Sequence, residues 1–259
     1  MTLIDERAAI DPGAVIGTNV EIGPYSVIGP DVVIGDDSWI GPHVVIKGPT
    51  KIGRSNRIYQ FSSIGEDPQD KKYGGNEQST LEIGDGNLIR EFCSINRGSE
   101  GGGGKTVIGN DNWIMAYVHI AHDCIVGNST IFSNNATLAG HITIDDYVIL
   151  GGFTAIHQFC HIGKHCFTAG LSMVGKDVPP FLMVAGDRAK PIGLNREGLK
   201  RHGYTRETID TLRKVYKIVY RNGLTTKQAL AGLEDLASQS EVVREFSDFI
   251  EKSSRGIIR

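Results

Sequence analysis

The run His119-Ile120-Ala121-His122-Asp123-Cys124 holds two of the eight histidines and one of the four cysteines of this chain. His141 follows His122 by 19 residues, and His157 follows His141 by 16. A neutral imidazole is a general base near neutral pH, and an adjoining carboxylate such as Asp123 can fix its tautomer. The same residue types can ligate a metal, but His119-x-x-His122 supplies two ligands where zinc takes three or four.

What must position these side chains is a repeat of six. Ile10, Ile16, Ile22, Ile28, Ile34, Ile40, Ile46, Ile52, Ile58 and Ile64 stand in unbroken register. The next residue is usually Gly, as at Gly17, Gly23, Gly29 and Gly35, and the residue four on is small or a compact aliphatic, as at Ala14, Val20, Ser26 and Val32. Six matches neither the 3.6 of a helix nor the 2 of a strand. It fits short strands joined by corners, with the aliphatic inside and the glycine relieving crowding of the backbone. Three hexads make one coil, and stacked coils form parallel sheets ~4.8 Å apart. The expected fold is mainly β, a parallel β-helix. It explains 33 glycines and only 7% aromatic residues.

The register slips twice, between Ile64 and Ile83 and between Ile95 and Ile108. The intervening stretches, about residues 66–80 and 97–106, are polar or glycine-rich and read as loops excluded from the coil. Such loops tend to carry function. A third run continues from Ile108 through Ile120, Val126, Phe132 and Leu138 to Val174, then stops at Val178-Pro179-Pro180, where prolines cannot donate to a ladder. The β-helix is expected over 1–190 and a helical domain over 191–259. Thr205 can cap a helix carrying Ile209, Leu212, Val215, Tyr216 and Val219. Thr226 can cap another with Ala229, Leu230, Leu233 and Leu236, and Val242 to Ile250 suggest a last one. These helices can cover the open end of the solenoid.

On this frame Cys93, Cys124, Cys160 and Cys166 all fall four residues after a ladder aliphatic. They read as inward packing residues, not as catalytic or zinc-binding thiols. His119, His122, His141 and His157 fall at corners or outward positions of successive coils, and stacking brings them to one edge, roughly 5 to 10 Å apart. His43, His161 and His165 are assigned no role. A net charge of -3 argues against nucleic acid as a partner. No apolar run approaches the ~20 residues of a membrane span, and Met1 to Arg7 carries acids where a signal peptide needs a cationic stretch. A cytoplasmic location is the expectation, with free thiols. Residues 188–221 hold ten Lys or Arg against three acids, either a solvated helix face or a dock for an acidic or phosphate-bearing partner. Packing of prisms side by side, most simply as a trimer, would create clefts between them.

The hexad lattice resembles the left-handed β-helix acyltransferase superfamily, and left-handedness follows from that resemblance alone; the general crossover rule would give the right hand. A finer resemblance rests on Ile58-Tyr59-Gln60-Phe61, Gln69-Asp70-x-Lys72-Tyr73, His119 to Cys124, Asn134 to His141, His157-Gln158-Phe159, Asn195-x-Glu197-Gly198-Leu199-Lys200-Arg201 and Arg255 to Arg259. These motifs are similar to those of the acyl-carrier-protein–UDP-N-acetylglucosamine O-acyltransferases, which make the first acylation of lipid A biosynthesis. The resemblance implies that His122 is the general base for the glucosamine 3-hydroxyl, Asp123 its orienting partner and the Gly140 N–H the oxyanion donor. The acyl donor would be a 3-hydroxyacyl acyl carrier protein. His119, His141, His157, Gln158, Gln69, Asp70 and Lys72 would lie around the sugar and acyl chain, and Asn195, Glu197 and Arg201 would bind nucleotide. Gly170 would limit acyl length, leaving room for a longer chain. The site would lie between subunits of a homotrimer, with no cofactor and no metal.

The chain departs from the family pattern in three places. Ile95-Asn96-Arg97-Gly98-Ser99 stands where the family usually reads Ile-His-Arg-Gly-Thr, which touches the sugar contact at Asn96 and the choice between a 3-hydroxyl and a 3-amino acceptor. His202 stands where a second Arg commonly follows Arg201, and the loop near Gly75 is one residue longer. The rival readings are a zinc enzyme of gamma-carbonic-anhydrase type and a non-catalytic scaffold.

Overall fold

The computed structural model describes residues 2–75 and 78–259. Strands of two to four residues follow one another from Leu3 to Val174 and collect into three parallel sheets. Every third strand falls on the same sheet, so Leu3 pairs Glu21, Ile22 pairs Ile40 and His119 pairs Thr137, one coil of 18 residues apart. The two slips leave this pairing intact. Ile58 pairs Ile89 and Ile64 pairs Ile95, 31 residues apart, while Ile83 pairs Ile108, 25 apart. The extra residues are thrown out of the prism and the ladder closes behind them. The coil is a left-handed parallel β-helix.

The interior is the aliphatic column that the hexads imply. Ile28, Ile34, Ile40, Ile46 and their successors are buried, as are the positions four on, including all four cysteines. Each such side chain contributes about 1.5–3 kcal/mol of apolar burial. Ile10 and Ile16, in the first coils, are only partly covered. Burial holds the Cys93 and Cys124 thiols up to about 12 and the Cys160 thiol up to about 11, so they stay protonated. A second column is polar. The Asn56 side-chain oxygen accepts the Asn87 N–H, the Asn87 oxygen accepts the Asn112 N–H, and the Asn112 oxygen accepts the Thr130 N–H, at 2.8–2.9 Å. These buried amides are satisfied along the stack.

The corner glycine is needed for close approach. A Cβ on Gly23 would lie 2.7 Å from the Pro42 nitrogen of the next coil. The left-handed backbone sits instead three residues after the ladder aliphatic, at side-chain-bearing residues: Asn19, Tyr25, Asp123 and His141 all have φ near +60°. Asp and Asn tolerate this region; the aromatic ones stack on the coil above and below.

The β-helix closes with Leu182–Ala185, parallel to Phe167–Thr168, and the antiparallel Lys190–Leu194. Strand therefore runs to Leu194, past the boundary expected near residue 190. Five helices follow: α1 Arg196–Arg201, α2 Arg206–Tyr220, α3 Thr226–Ala231, α4 Glu234–Gln239 and α5 Glu241–Lys252. Thr205 caps α2, accepting the Thr208 N–H. The next cap is Thr225, not Thr226, because Gln228 completes a reciprocal capping box with it. The helix expected there is interrupted at Gly232, the C-cap of α3. Leu199, Leu212, Val215 and Phe246 join the core at the end of the last coil. Among the described residues no helix is long and apolar enough to cross a membrane.

Candidate active site

Both excluded loops leave from one corner, between the second and third sheets. The first joins Ser63–Glu66 to Thr80–Ile83, and the second joins Ser94–Asn96 to Lys105–Ile108, ending two residues before the expected limit at 106. His122 and His141 stand at the same corner in the next two coils, after His119–Ile120 and Thr137–Leu138. The lattice thus delivers loops and imidazoles to one seam.

His122 Nδ1 lies 2.7 Å from Asp123 Oδ2. With its Nδ1 proton donated to the carboxylate, His122 presents a free Nε2 to any bound substrate. Asp123 is buried, and its left-handed φ of 60° is what turns its carboxylate back onto the preceding ring. Further hydrogen bonds hold it. Ser99, on the second excluded loop, donates its N–H to Oδ1 at 2.8 Å and its hydroxyl to Oδ2 at 2.6 Å. The Asp123 N–H donates to Thr106 Oγ1 at 2.8 Å. Sequence reading did not single out Ser99 or Thr106 as site residues. The signal available was the Ser99 hydroxyl, which matches the Thr of the family pattern.

His141 packs edge-on to His122, with ring centroids 5.0 Å apart, and stacks on Phe159 at 4.5 Å. Its Nδ1 is 3.8 Å from Asp123 Oδ2. Burial lowers its pKa, and His122 lowers it further, against the opposing pull of Asp123 and Asp70. Asp70 stands half-buried on the first loop. His119 accepts or donates a 2.7 Å hydrogen bond with Ser94 Oγ, and burial lowers its pKa, offset in part by Ser94 and reinforced by His122. Gly140 lies close against the His122 ring: a Cβ there would lie 2.7 Å from His122 Cε1 and 2.8 Å from Nε2. Among the described residues no acceptor takes the Gly140 N–H.

The other expected site residues are placed differently. Gln69 and Lys72 are exposed on the first loop; His157 and Gln158 are exposed one coil beyond His141. Asn96 is buried, and among the described residues its side-chain oxygen has no partner. Its amide donates to the Glu66 and Asp67 carbonyls, pinning the base of the first loop, because its own strand ends beneath that loop. Arg97 completes the clamp, reaching the Gly65 carbonyl, Asp67 and the Tyr73 hydroxyl. Asn195 is also buried: its oxygen caps α1 through the Gly198 N–H and its nitrogen donates to the His165 carbonyl. Glu197 pairs with Lys200 at 2.9 Å and Arg201 is exposed. The α1 helix sits at another corner, between the third and first sheets, where His202 packs on Tyr147 and His165 at 4.7 and 4.8 Å. Gly170 lies on the far edge of the second sheet from His122, and a Cβ there would meet only the Gly152 carbonyl, at 3.3 Å.

His122, Asp123 and His141 also offer three donor atoms within 4.8 Å of one another. Both Asp123 oxygens are already engaged, Oδ1 by the Ser99 N–H and Oδ2 by the Ser99 hydroxyl and His122 Nδ1.

Comparison with known proteins decides the family. A protein from Thiobacillus denitrificans, an acyl-[acyl-carrier-protein]–UDP-N-acetylglucosamine O-acyltransferase, is 53% identical over 259 residues, covering 100% of both chains. This chain belongs to the UDP-N-acetylglucosamine O-acyltransferase family. A relative of the same name from Herminiimonas arsenicoxydans is 54% identical over 263 residues, again across both chains. The solved UDP-N-acetylglucosamine acyltransferase of Francisella novicida superposes with a TM-score of 0.97 at 44% identity, covering 99% of this chain and 94% of its own. Residues 177–258 match the domain described as Udp N-acetylglucosamine O-acyltransferase; Domain 2, and residues 1–35, 31–66 and 105–140 match the bacterial transferase hexapeptide repeats. The acyltransferase family therefore covers the coil and the helical tail alike.

Proposed function

We propose that this chain transfers a 3-hydroxyacyl group from acyl carrier protein to the glucosamine 3-hydroxyl of UDP-N-acetylglucosamine, the first step of lipid A biosynthesis. The observation that carries the mechanism is His122 held at 2.7 Å by a buried carboxylate, with the Gly140 backbone against the same ring. His122 Nε2 takes the proton of the 3-hydroxyl as its oxygen attacks the thioester carbonyl. The tetrahedral oxyanion is met by the Gly140 N–H, a role that suits a preorganised amide. Collapse expels the carrier thiolate, which recovers the proton from the imidazolium. Asp123 stays ionised throughout, stabilising the positive ring as it forms. The depressed pKa of His119 and His141 keeps both neutral near pH 7, so they donate and accept hydrogen bonds around the sugar without opposing the charge on His122.

The working enzyme in this reading is a homotrimer. The segment expected to hold nucleotide, at Glu197 and Arg201, stands at a different corner from His122 and would serve a neighbour's seam. A column of exposed Tyr25, Phe61, Phe92, Tyr117, Phe153 and Leu171 runs along the edge between the first and second sheets, and a second prism would cover it. The exposed Arg196, Lys200, Arg213, Lys214 and Lys217 form a cationic face suited to an acidic carrier protein. A carrier protein and a nucleotide sugar meet in the cytoplasm, where we place the reaction.

The test incubates purified protein with UDP-N-acetylglucosamine, its 3-amino analogue and a panel of 3-hydroxyacyl carrier proteins, and identifies products by mass spectrometry. The reading expects a 3-O-acylated sugar nucleotide from the wild type and none from His122→Ala, whose oligomer on size exclusion is unchanged. Normal turnover by that variant removes the mechanism.

A further inference from the structure

We infer that Ser99 is a positioning residue of the reaction: the loop over residues 97–104 works as the outer clamp of the Asp123–His122 pair, and the functional unit is Ser99–Asp123–His122. The inference rests on the proposed acyl transfer and names a further residue of that site. Three observations carry it. Ser99 gives both of its donors to one carboxylate, N–H to Oδ1 at 2.8 Å and O–H to Oδ2 at 2.6 Å, and Oδ2 is the atom that faces His122 Nδ1. Asp123 is 6% exposed, so no solvent can replace those donors. The rest of the loop is fitted to the same carboxylate: Gly102, in the one-turn helix Glu100–Gly102, lies so close that any Cβ there would collide with the Asp123 carboxylate. The loop is itself closed by the Gly102 and Gly104 amides donating to the Ser99 carbonyl, at 3.0 and 2.8 Å.

The chemistry follows from a shared oxygen. Asp123 Oδ2 accepts from the serine hydroxyl and from the imidazole at once, and charge-assisted bonds of this kind are short and directional. The hydroxyl draws negative charge toward itself and so limits how strongly the carboxylate raises the basicity of His122. It also stops the carboxylate rotating about its Cβ–Cγ bond, which would carry Nε2 away from the substrate. Removal of the hydroxyl should do two separable things. The ring loses its fixed orientation, which lowers kcat. The carboxylate acts more fully on the imidazolium, which raises the His122 pKa and moves the acid limb of kcat/KM to higher pH.

The experiment compares wild type, Ser99→Ala and Ser99→Thr in the acyl-transfer assay from pH 5.5 to 9, with melting temperature recorded for each. Expected for Ser99→Ala is a fall in kcat of about 10-fold, KM for both substrates within about threefold, and an acid limb displaced upward by several tenths of a pH unit. Ser99→Thr, which retains the hydroxyl, restores both the rate and the limb. Where Ser99→Ala melts at a temperature too low to assay, Ser99→Cys keeps the size, gives up the strong donor, and carries the same expectation. Activity within twofold and an unmoved limb overturn the inference. A lowered rate with an unmoved limb and no recovery in Ser99→Thr also overturns it, since that pattern belongs to a merely structural loop. Failure of the wild type to acylate any sugar nucleotide strikes the proposed function instead, so the two outcomes are distinct.

Discussion

Gly140→Ala tests the site at its tightest point. The added carbon would sit 2.7 Å from His122 Cε1 and 2.8 Å from Nε2, where unstrained carbons stand about 3.5–4.0 Å apart. Something must therefore yield by roughly 0.8 Å or more. The backbone around Gly140 is tied into neighbouring coils by His141 N–H to the His122 carbonyl at 3.0 Å and by Phe159 N–H to the Gly140 carbonyl at 3.2 Å. The ring is the softer partner, though its movement stretches the 2.7 Å contact with Asp123. A displacement near 1 Å at a reacting atom costs about 100-fold in rate, or about 2.7 kcal/mol of barrier. Overpacking adds about 1–3 kcal/mol of destabilisation if the backbone shares the strain. Steady-state assays should show kcat down about 100-fold and KM for the sugar nucleotide changed far less. Gly175→Ala is the control, because a Cβ there meets nothing within 4 Å, and it should behave as wild type. A Gly140→Ala enzyme with kcat within twofold of wild type would refute the claim that ring and backbone are in working contact.

Gly170→Met should shorten the preferred acyl chain, with kcat/KM for the longest accepted donor down about 10–100-fold, measured across the carrier-protein panel; unchanged chain preference rules out a length-limiting role. A pH effect on stability follows from His165. Burial, reinforced by His202 and Lys164 and opposed by Asp146, lowers its pKa from 6.5 to about 4. The unfolded chain takes up a proton as pH falls through 6.5, while the folded chain does not until about pH 4. Stability therefore declines across that window. Urea unfolding at pH 7.5, 6 and 5 should show the decline, and His165→Phe should flatten it; an identical slope in the variant assigns the acid sensitivity elsewhere.

The ladder was legible because each isoleucine obeys one constraint, burial inside a prism, and repeats it every six residues. The stacking of His122 on His141 was legible for the same reason: fixed coil length converts spacing in sequence into position in space. The inward cysteines followed as well. What escaped was everything that depends on where an excluded loop returns. Ser99 is 24 residues from Asp123 in sequence and outside the hexad lattice, so periodicity assigns it no location. Asn96 pins the base of the first loop through the Glu66 and Asp67 carbonyls, a contact that no repeat encodes. The corner residues in left-handed backbone also escaped. Glycine is the usual marker of that conformation, and in coils such as those of Gly23 and Gly35 it is spent on close approach two positions earlier, leaving Tyr25 and Asp37 to adopt it. The shift from Thr226 to Thr225 was decided by Gln228, which only one of the two threonines can reach as a capping box.

Because the two outgrowths depart from a single seam and the stacking resumes behind each of them, the prism is blind to their length and wording. Natural variation can rewrite the rim of the groove, and with it the acceptor and the clamp on the base, without renegotiating one contact in the aliphatic shaft. New chemistry in such a scaffold should accordingly arise by editing the seam, and the shaft should drift only toward better packing.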